Sequence, residues 1–165
     1  MLGEIRAFFN MKKIYKSTIG NILLESDGEL ITKCEFVQMD SIDENDTDFV
    51  LNQAVEYLND YFEGKNVGEF EKVKFAFTDY QNKILKIVHK IKYANTLTYS
   101  DVKNQYEQIY HKKTSPRAVG KAIGKNTIAI FIPCHRVVGK GNKLTGYKYG
   151  MDKKKFLLEL EQKVL

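Results

Sequence analysis

Ile132-Pro133-Cys134-His135-Arg136-Val137-Val138 sets a thiol, an imidazole and a guanidinium side by side where the apolar run of residues 128–132 ends. Proline restricts the backbone immediately before the cysteine. A cysteine is a strong nucleophile only as the thiolate, and a nearby imidazole can take its proton or stabilise the charge. Adjacency in sequence does not by itself bring the ring to the sulfur. A buried structural cysteine is therefore the competing reading of the same stretch.

Working outward, the 165-residue chain is 43% hydrophobic, with ten Tyr, ten Phe and only two Pro. That composition describes a globular protein of one domain, or a catalytic domain with a small appendage, without a low-complexity linker. There is no fixed-period repeat, no apolar run of spanning length and no basic-then-apolar signal. The expected compartment is the cytoplasm, or the nucleus if the source has one, with no membrane partner. Cys34 and Cys134 allow one bridge at most, and a two-cysteine chain without a secretion signal is expected to be reduced.

The net charge of +5 hides a division. Residues 1–77 hold 8 Lys+Arg against 15 Asp+Glu, and residues 78–165 hold 18 against 6, so −7 and +12 lie behind the total. A segment this basic suits a polyanion, because each cation that neutralises a phosphate releases a counterion. A solubilising lysine surface is the alternative.

Residues 12–18, 21–26 and 30–37 read as short strands joined by turns at Gly20-Asn21 and Asp27-Gly28. Cys34 falls on the third as a small core residue. After the acidic stretch 40–48, Leu51, Ala54, Val55, Leu58 and Phe62 recur at helical spacing, and Gly64 offers a stop. Val73, Phe75 and Phe77 alternate with Lys72, Lys74 and Ala76 as a half-buried strand would. Thr78-Asp79-Tyr80-Gln81 fits a capping box opening a helix whose apolar face is Tyr80, Ile84, Ile87, Val88 and Ile91. His89 lies beside that face, and with no Cys or His partners at ligand spacing no metal is expected.

Thr98-Tyr99-Ser100-Asp101 opens a second helix with Val102 and Tyr106 as its apolar points. Ser115-Pro116 then places an N-cap before a proline at the first position of a third helix, which runs to about Ile123. That helix carries Arg117, Lys121 and, just past its end, Lys125, with Ala118, Val119 and Ala122 available for packing. Two helices joined by a polar loop, the second capped and basic, are similar to a helix-turn-helix. In the last helix Phe156, Leu157, Leu160 and Val164 form an apolar face, and either Glu159 or Glu161 is placed to orient a histidine.

Pro133-Cys134-His135-Arg136-Val137 resembles the signature of methylated-DNA–protein-cysteine methyltransferases, the O6-alkylguanine-DNA alkyltransferases. The likeness runs over about residues 78–163 through Thr98-Tyr99, Arg117-Ala118-Val119-Gly120, Asn126, Gly146-Tyr147 and Leu157-Leu158-Glu159-Leu160-Glu161. Residues 1–77 match only in general layout. The resemblance implies an α+β (α/β) protein: an N-terminal sheet-and-helix scaffold domain over 1–77, packed on a mainly helical domain over 78–165 that holds the helix-turn-helix and the cysteine.

It also implies single-turnover transfer of an alkyl group from O6-alkylguanine, with O4-alkylthymine as a second substrate, to Cys134. On that basis His135 takes the thiol proton through a water and Glu161 orients the histidine. Tyr99 donates to the guanine, and Asn126 is the hinge between the DNA helix and the site. The DNA-binding set is Arg117, which fills the gap left by the flipped base, with Ala118, Lys121, Ile123 and Lys125, while Tyr147 lines the pocket. The implied partner is double-stranded DNA met in the minor groove by a monomer, with no cofactor.

Departures from the family pattern are Leu85 in place of a Trp, Lys92 and Ala94 in place of Pro and Gly, Ala129 in place of a proline, and the bulky Lys148-Tyr149 pair. Two other functions compete. A damage-recognition protein that binds alkylguanine without chemistry would have no need of Cys134. A cysteine hydrolase would use Cys134 and His135 but has no need of the +12 on residues 78–165.

Overall fold

A computed structural model describes residues 10–43 and 48–163. Residues 44–47 of the acidic stretch 40–48, and Val164, lie outside the described residues. The chain is mixed α+β and divides into two compact units, one of residues up to Lys74 together with Thr127–Phe131, the other of Phe75–Asn126 with the chain from Ile132 onward.

In the first unit β1 (Met11–Ser17), β2 (Gly20–Ser26) and β3 (Ile31–Val37) form an antiparallel sheet in that order. The central strand is buried along Ile22, Leu23, Leu24, Glu25 and Ser26. Glu25 sits opposite Lys12 on one side and Lys33 on the other, with ammonium contacts of 3.3 and 3.9 Å. Helix α1 (Phe49–Phe62) begins at Asp48, whose carboxylate accepts from Val50 N–H at 3.0 Å and from the Ser26 hydroxyl. Its buried stripe is Val50, Leu51, Ala54, Leu58 and Tyr61, so Tyr61 takes the place expected for Phe62.

The strand expected at 73–77 does not form. Val73 makes a single parallel bridge to Ile31. Beyond it, the Asn82 side chain accepts from Phe77 N–H at 3.0 Å and donates to Phe77 O at 3.3 Å, so a side chain occupies the backbone groups that a sheet would need. Thr127–Phe131 instead lies along β3: Cys34 N–H donates to Thr127 O at 2.9 Å and Ala129 N–H to Cys34 O at 2.8 Å. Phe131 packs on Phe70 and Tyr57 at centroid distances of 4.6 and 5.3 Å.

In the second unit, α2 (Asp79–His89) and α3 (Tyr99–Tyr110) both start with complete capping boxes, Thr78 with Gln81 and Thr98 with Asp101. Buried His89 stands edge-on to Phe75 at 5.6 Å. Helix α4 (Pro116–Ile123) opens with the Ser115 hydroxyl accepting from Ala118 N–H at 3.1 Å. It buries Val119, Ala122 and Ile123 and leaves Arg117 and Lys121 exposed one turn apart, with Lys125 exposed in the turn just past its end.

Between α2 and α3, β4 (Leu97–Thr98) pairs in parallel with β5 (Val137–Val138). That pairing anchors the chain just after the cysteine stretch. Helix α5 (Met151–Gln162) completes the unit. Its buried face is Lys154, Leu157 and Glu161, with Phe156 and Leu160 half-buried. The expected apolar face is thus corrected to one with two ionisable groups, and both turn toward the residues around Cys134.

Candidate active site

Cys134, His135 and Arg136 form one 3-10 turn between Pro133 and β5, with Val137 N–H donating to Cys134 O. Cys134 meets Asn126, while His135 and Arg136 converge on the two carboxylate oxygens of Glu161. Asn126, 1% exposed, donates from Nδ2 to the Cys134 sulfur at 3.2 Å and to Ile132 O at 3.1 Å. His135 is fully buried, with Nε2 at 2.5 Å from Glu161 Oε2. Arg136 donates from Nε to Glu161 Oε1 at 2.7 Å and from a terminal nitrogen to Ile91 O at 2.7 Å. Its guanidinium also lies over the Tyr93 ring at 5.7 Å.

Glu161 additionally accepts from Ala94 N–H at 3.0 Å. One buried carboxylate thus collects an imidazole, a guanidinium and a backbone amide. Ala94 holds a φ of +64°, a left-handed conformation that costs an L-residue about 1–2 kcal/mol. Ala94→Gly should therefore raise stability by about 0.5–1 kcal/mol, the relief of strain less the chain entropy of glycine, seen as a rise of roughly 2–3 °C in Tm. A lower Tm would contradict this account of the turn.

Charge states follow from the surroundings. Burial raises the Cys134 thiol above its ordinary pKa, against the opposing pull of the Asn126 hydrogen bond and the Lys154 and Lys148 charges. Burial lowers His135, and with the Arg136 and Lys154 charges it outweighs the upward pull of Glu161. Burial works to raise Glu161, but His135 and Arg136 together hold it well below the usual carboxylate range. The resting site is a thiol beside a neutral imidazole and an ionised carboxylate. With Nε2–H committed to Glu161, the other ring nitrogen keeps its lone pair.

Lys154 was not singled out from the sequence. It is fully buried, and its ammonium donates to Val137 O at 2.7 Å, Thr145 O at 2.7 Å and Gly146 O at 3.3 Å. Burial lowers its pKa to about 8, with Cys134 drawing it the other way. The only legible signal was its spacing of three and seven residues from Leu157 and Glu161.

Of the remaining expected residues, Tyr99 is half-buried, its hydroxyl 3.5 Å from Thr145 O, and a Cβ built on Gly120 would stand 3.6 Å from its ring. Tyr147 is half-buried and edge-on to Tyr149 at 5.5 Å. Ala118 is half-buried, and Ile123 is 7% exposed. Glu159 is exposed, so between the two candidate carboxylates the histidine meets Glu161. No disulfide joins Cys34 to Cys134. Among the described residues no group of three His, Cys, Asp or Glu is gathered to hold a metal, and no helix is long and apolar enough to cross a membrane.

Comparison with known proteins matches residues 79–163 to the family model of the 6-O-methylguanine DNA methyltransferase DNA binding domain. Residues 10–77 match that of the 6-O-methylguanine DNA methyltransferase ribonuclease-like domain. The methylated-DNA–protein-cysteine methyltransferase of Methanocaldococcus jannaschii is 39% identical over 98% of this chain and 93% of its own length. That of Methanosarcina acetivorans is 38% identical over 90% of this chain and 96% of its own. The crystal structure of Mycobacterium tuberculosis OGT in complex with DNA superposes with a TM-score of 0.80 at 34% identity, covering 93% of each chain. Both halves of the sequence, the fold and the buried cysteine turn thus agree: the chain belongs to the methylated-DNA–protein-cysteine methyltransferases, enzymes of direct-reversal DNA repair.

Proposed function

We propose that Cys134 is the alkyl acceptor and that the substrate is O6-alkylguanine, with O4-alkylthymine as a second substrate, in double-stranded DNA. The observation that carries this reading is the buried Asn126–Cys134 contact beside the His135–Glu161–Arg136 cluster. His135 removes the thiol proton through a water, and Asn126 stabilises the sulfur as charge develops. The thiolate attacks the alkyl carbon. An S–C bond forms as the C–O6 bond breaks, and the electron pair returns to the guanine, which gains one proton while the thiol loses one. Tyr99, whose hydroxyl is only weakly held at 3.5 Å, donates to the departing base.

The thioether has no easy route back to the thiol, so each molecule acts once. Residues 1–77 serve as a scaffold, and residues 78–165 carry DNA binding and chemistry. The exposed cations Arg117, Lys121 and Lys125 support α3 and α4 acting as a helix-turn-helix in the minor groove, with Ala118 allowing close approach, Arg117 replacing the flipped base and Ile123 backing the site. Tyr147 lines the pocket and Asn126 links the helix to it. The protein works as a monomer without a cofactor, in the cytoplasm or, in a nucleated cell, the nucleus.

Counting restored guanines against protein tests the stoichiometry: a plateau at one per chain is expected, and continued turnover would point to a hydrolase. Arg117→Ala should slow repair of duplex DNA by about tenfold or more while leaving reaction with free O6-alkylguanine base within about threefold. Equal losses on both substrates would remove the finger role.

A further inference from the structure

Lys154 has no part in the mechanism above, yet it is a fully buried cation whose three hydrogens are directed at three carbonyls. Val137 is the first residue after the cysteine turn. Thr145 and Gly146 immediately precede Tyr147, and Thr145 O is also the group that faces the Tyr99 hydroxyl. One ammonium therefore ties the strand leaving the cysteine to the far end of the loop that returns toward α5. That loop is exposed from 140 to 146, and Gly141, Asn142 and Gly146 hold positive φ. Gly139 N–H to Lys143 O and Gly150 N–H to Tyr147 O brace its two ends. The clamp crosses between them.

We infer that Lys154 is a positioning residue that holds Thr145–Gly146 against Val137, and so fixes the spacing between the Tyr99 and Tyr147 side of the site and the Cys134 sulfur. The inference rests on the alkyltransferase reading, because it concerns how an alkylated base is presented to the thiol. A loop displaced by about 1 Å slows an oriented displacement by about 10²-fold, while a small electrophile that needs no orientation is hardly affected. An ammonium that acted mainly by stabilising the thiolate would instead affect both reactions alike.

The test uses the full-length protein as wild type, Lys154→Gln and Lys154→Arg. Three quantities are measured: the single-turnover rate on O6-methylguanine duplex DNA, iodoacetamide labelling of Cys134, and amide hydrogen exchange of residues 138–147. Lys154→Gln should slow alkyl transfer about 10²-fold, change labelling by less than about threefold and speed exchange in 138–147. Lys154→Arg, which keeps a cationic donor, should recover part of both the rate and the protection.

Parallel losses of transfer and labelling with unchanged exchange would overturn the clamp, as would wild-type values throughout. Should Lys154→Gln fail to fold, Lys154→Met, which keeps the volume of the stem, carries the same comparison. A wild-type protein that labels with iodoacetamide but accepts nothing from DNA would remove the alkyltransferase reading, and the exchange measurement would still decide the clamp.

Discussion

Glu161→Ala is expected to cost about 3–5 kcal/mol of stability, roughly 10 °C in Tm, and nearly all alkyl transfer at neutral pH. The carboxylate is 1% exposed and accepts from His135, Arg136 and Ala94 N–H. Removing it leaves a guanidinium and an imidazole in the interior with their acceptor gone, and an unpaired buried charge is what makes such losses large. The rate falls with it, because the carboxylate sets the tautomer that leaves a lone pair on His135 and balances the imidazolium that forms.

The pH dependence supplies the sign. The folded pKa of Glu161 lies below its ordinary 4.5, so its contribution is fully present above about pH 4.5 and is lost as pH falls through the folded value. The stability gap between wild type and Glu161→Ala should therefore narrow on acidification below about pH 4.5. A gap that stays constant into acid, or a variant as stable as wild type at pH 7, would show that the carboxylate is not holding the cluster together. Arg136 shares that carboxylate and binds Ile91 O, so it secures the cysteine turn to the chain after α2.

Asn126→Ala should lower the rate at pH 7 by about 10- to 100-fold, with part of the loss recovered at alkaline pH. The amide donates to both the sulfur and Ile132 O, so its removal takes a stabilising donor from the thiolate and leaves a buried carbonyl unsatisfied. The thiol pKa, already raised by burial, rises further. Each unit of that rise means about tenfold less thiolate below the pKa, and nothing is lost above it. The ratio of wild-type to variant rate should therefore shrink as pH increases. A ratio independent of pH would assign Asn126 to backbone geometry alone.

Much of this was legible in the chain because the signals were local. Thr78 with Gln81, Thr98 with Asp101 and Ser115-Pro116 each name a helix start through a side chain that bonds its own backbone, and the structure has helices at each. The order of Tyr99, Asn126, Cys134 and Glu161 could be read, but the distances between them could not.

What was missed depends on partners far away in sequence. Lys153, Lys154 and Lys155 are indistinguishable as letters, and only the rotation of α5 buries the middle one. The same rotation separates Glu161 from Glu159. The two-residue pairing of β4 with β5 is too short to leave a pattern, and Thr127–Phe131 lies along β3 through backbone atoms that no side-chain period reports. The alternation at 73–77 was real but misleading, because Asn82 claims the Phe77 backbone.

The most direct measurement is the mass of the intact protein, followed by peptide mapping, after incubation with one equivalent of duplex DNA carrying O6-methylguanine. A gain of one CH2 per chain on the peptide containing Cys134, with Cys34 unchanged, is the predicted result. An unmodified Cys134 at full DNA occupancy, or the methyl group found on another residue, would contradict it.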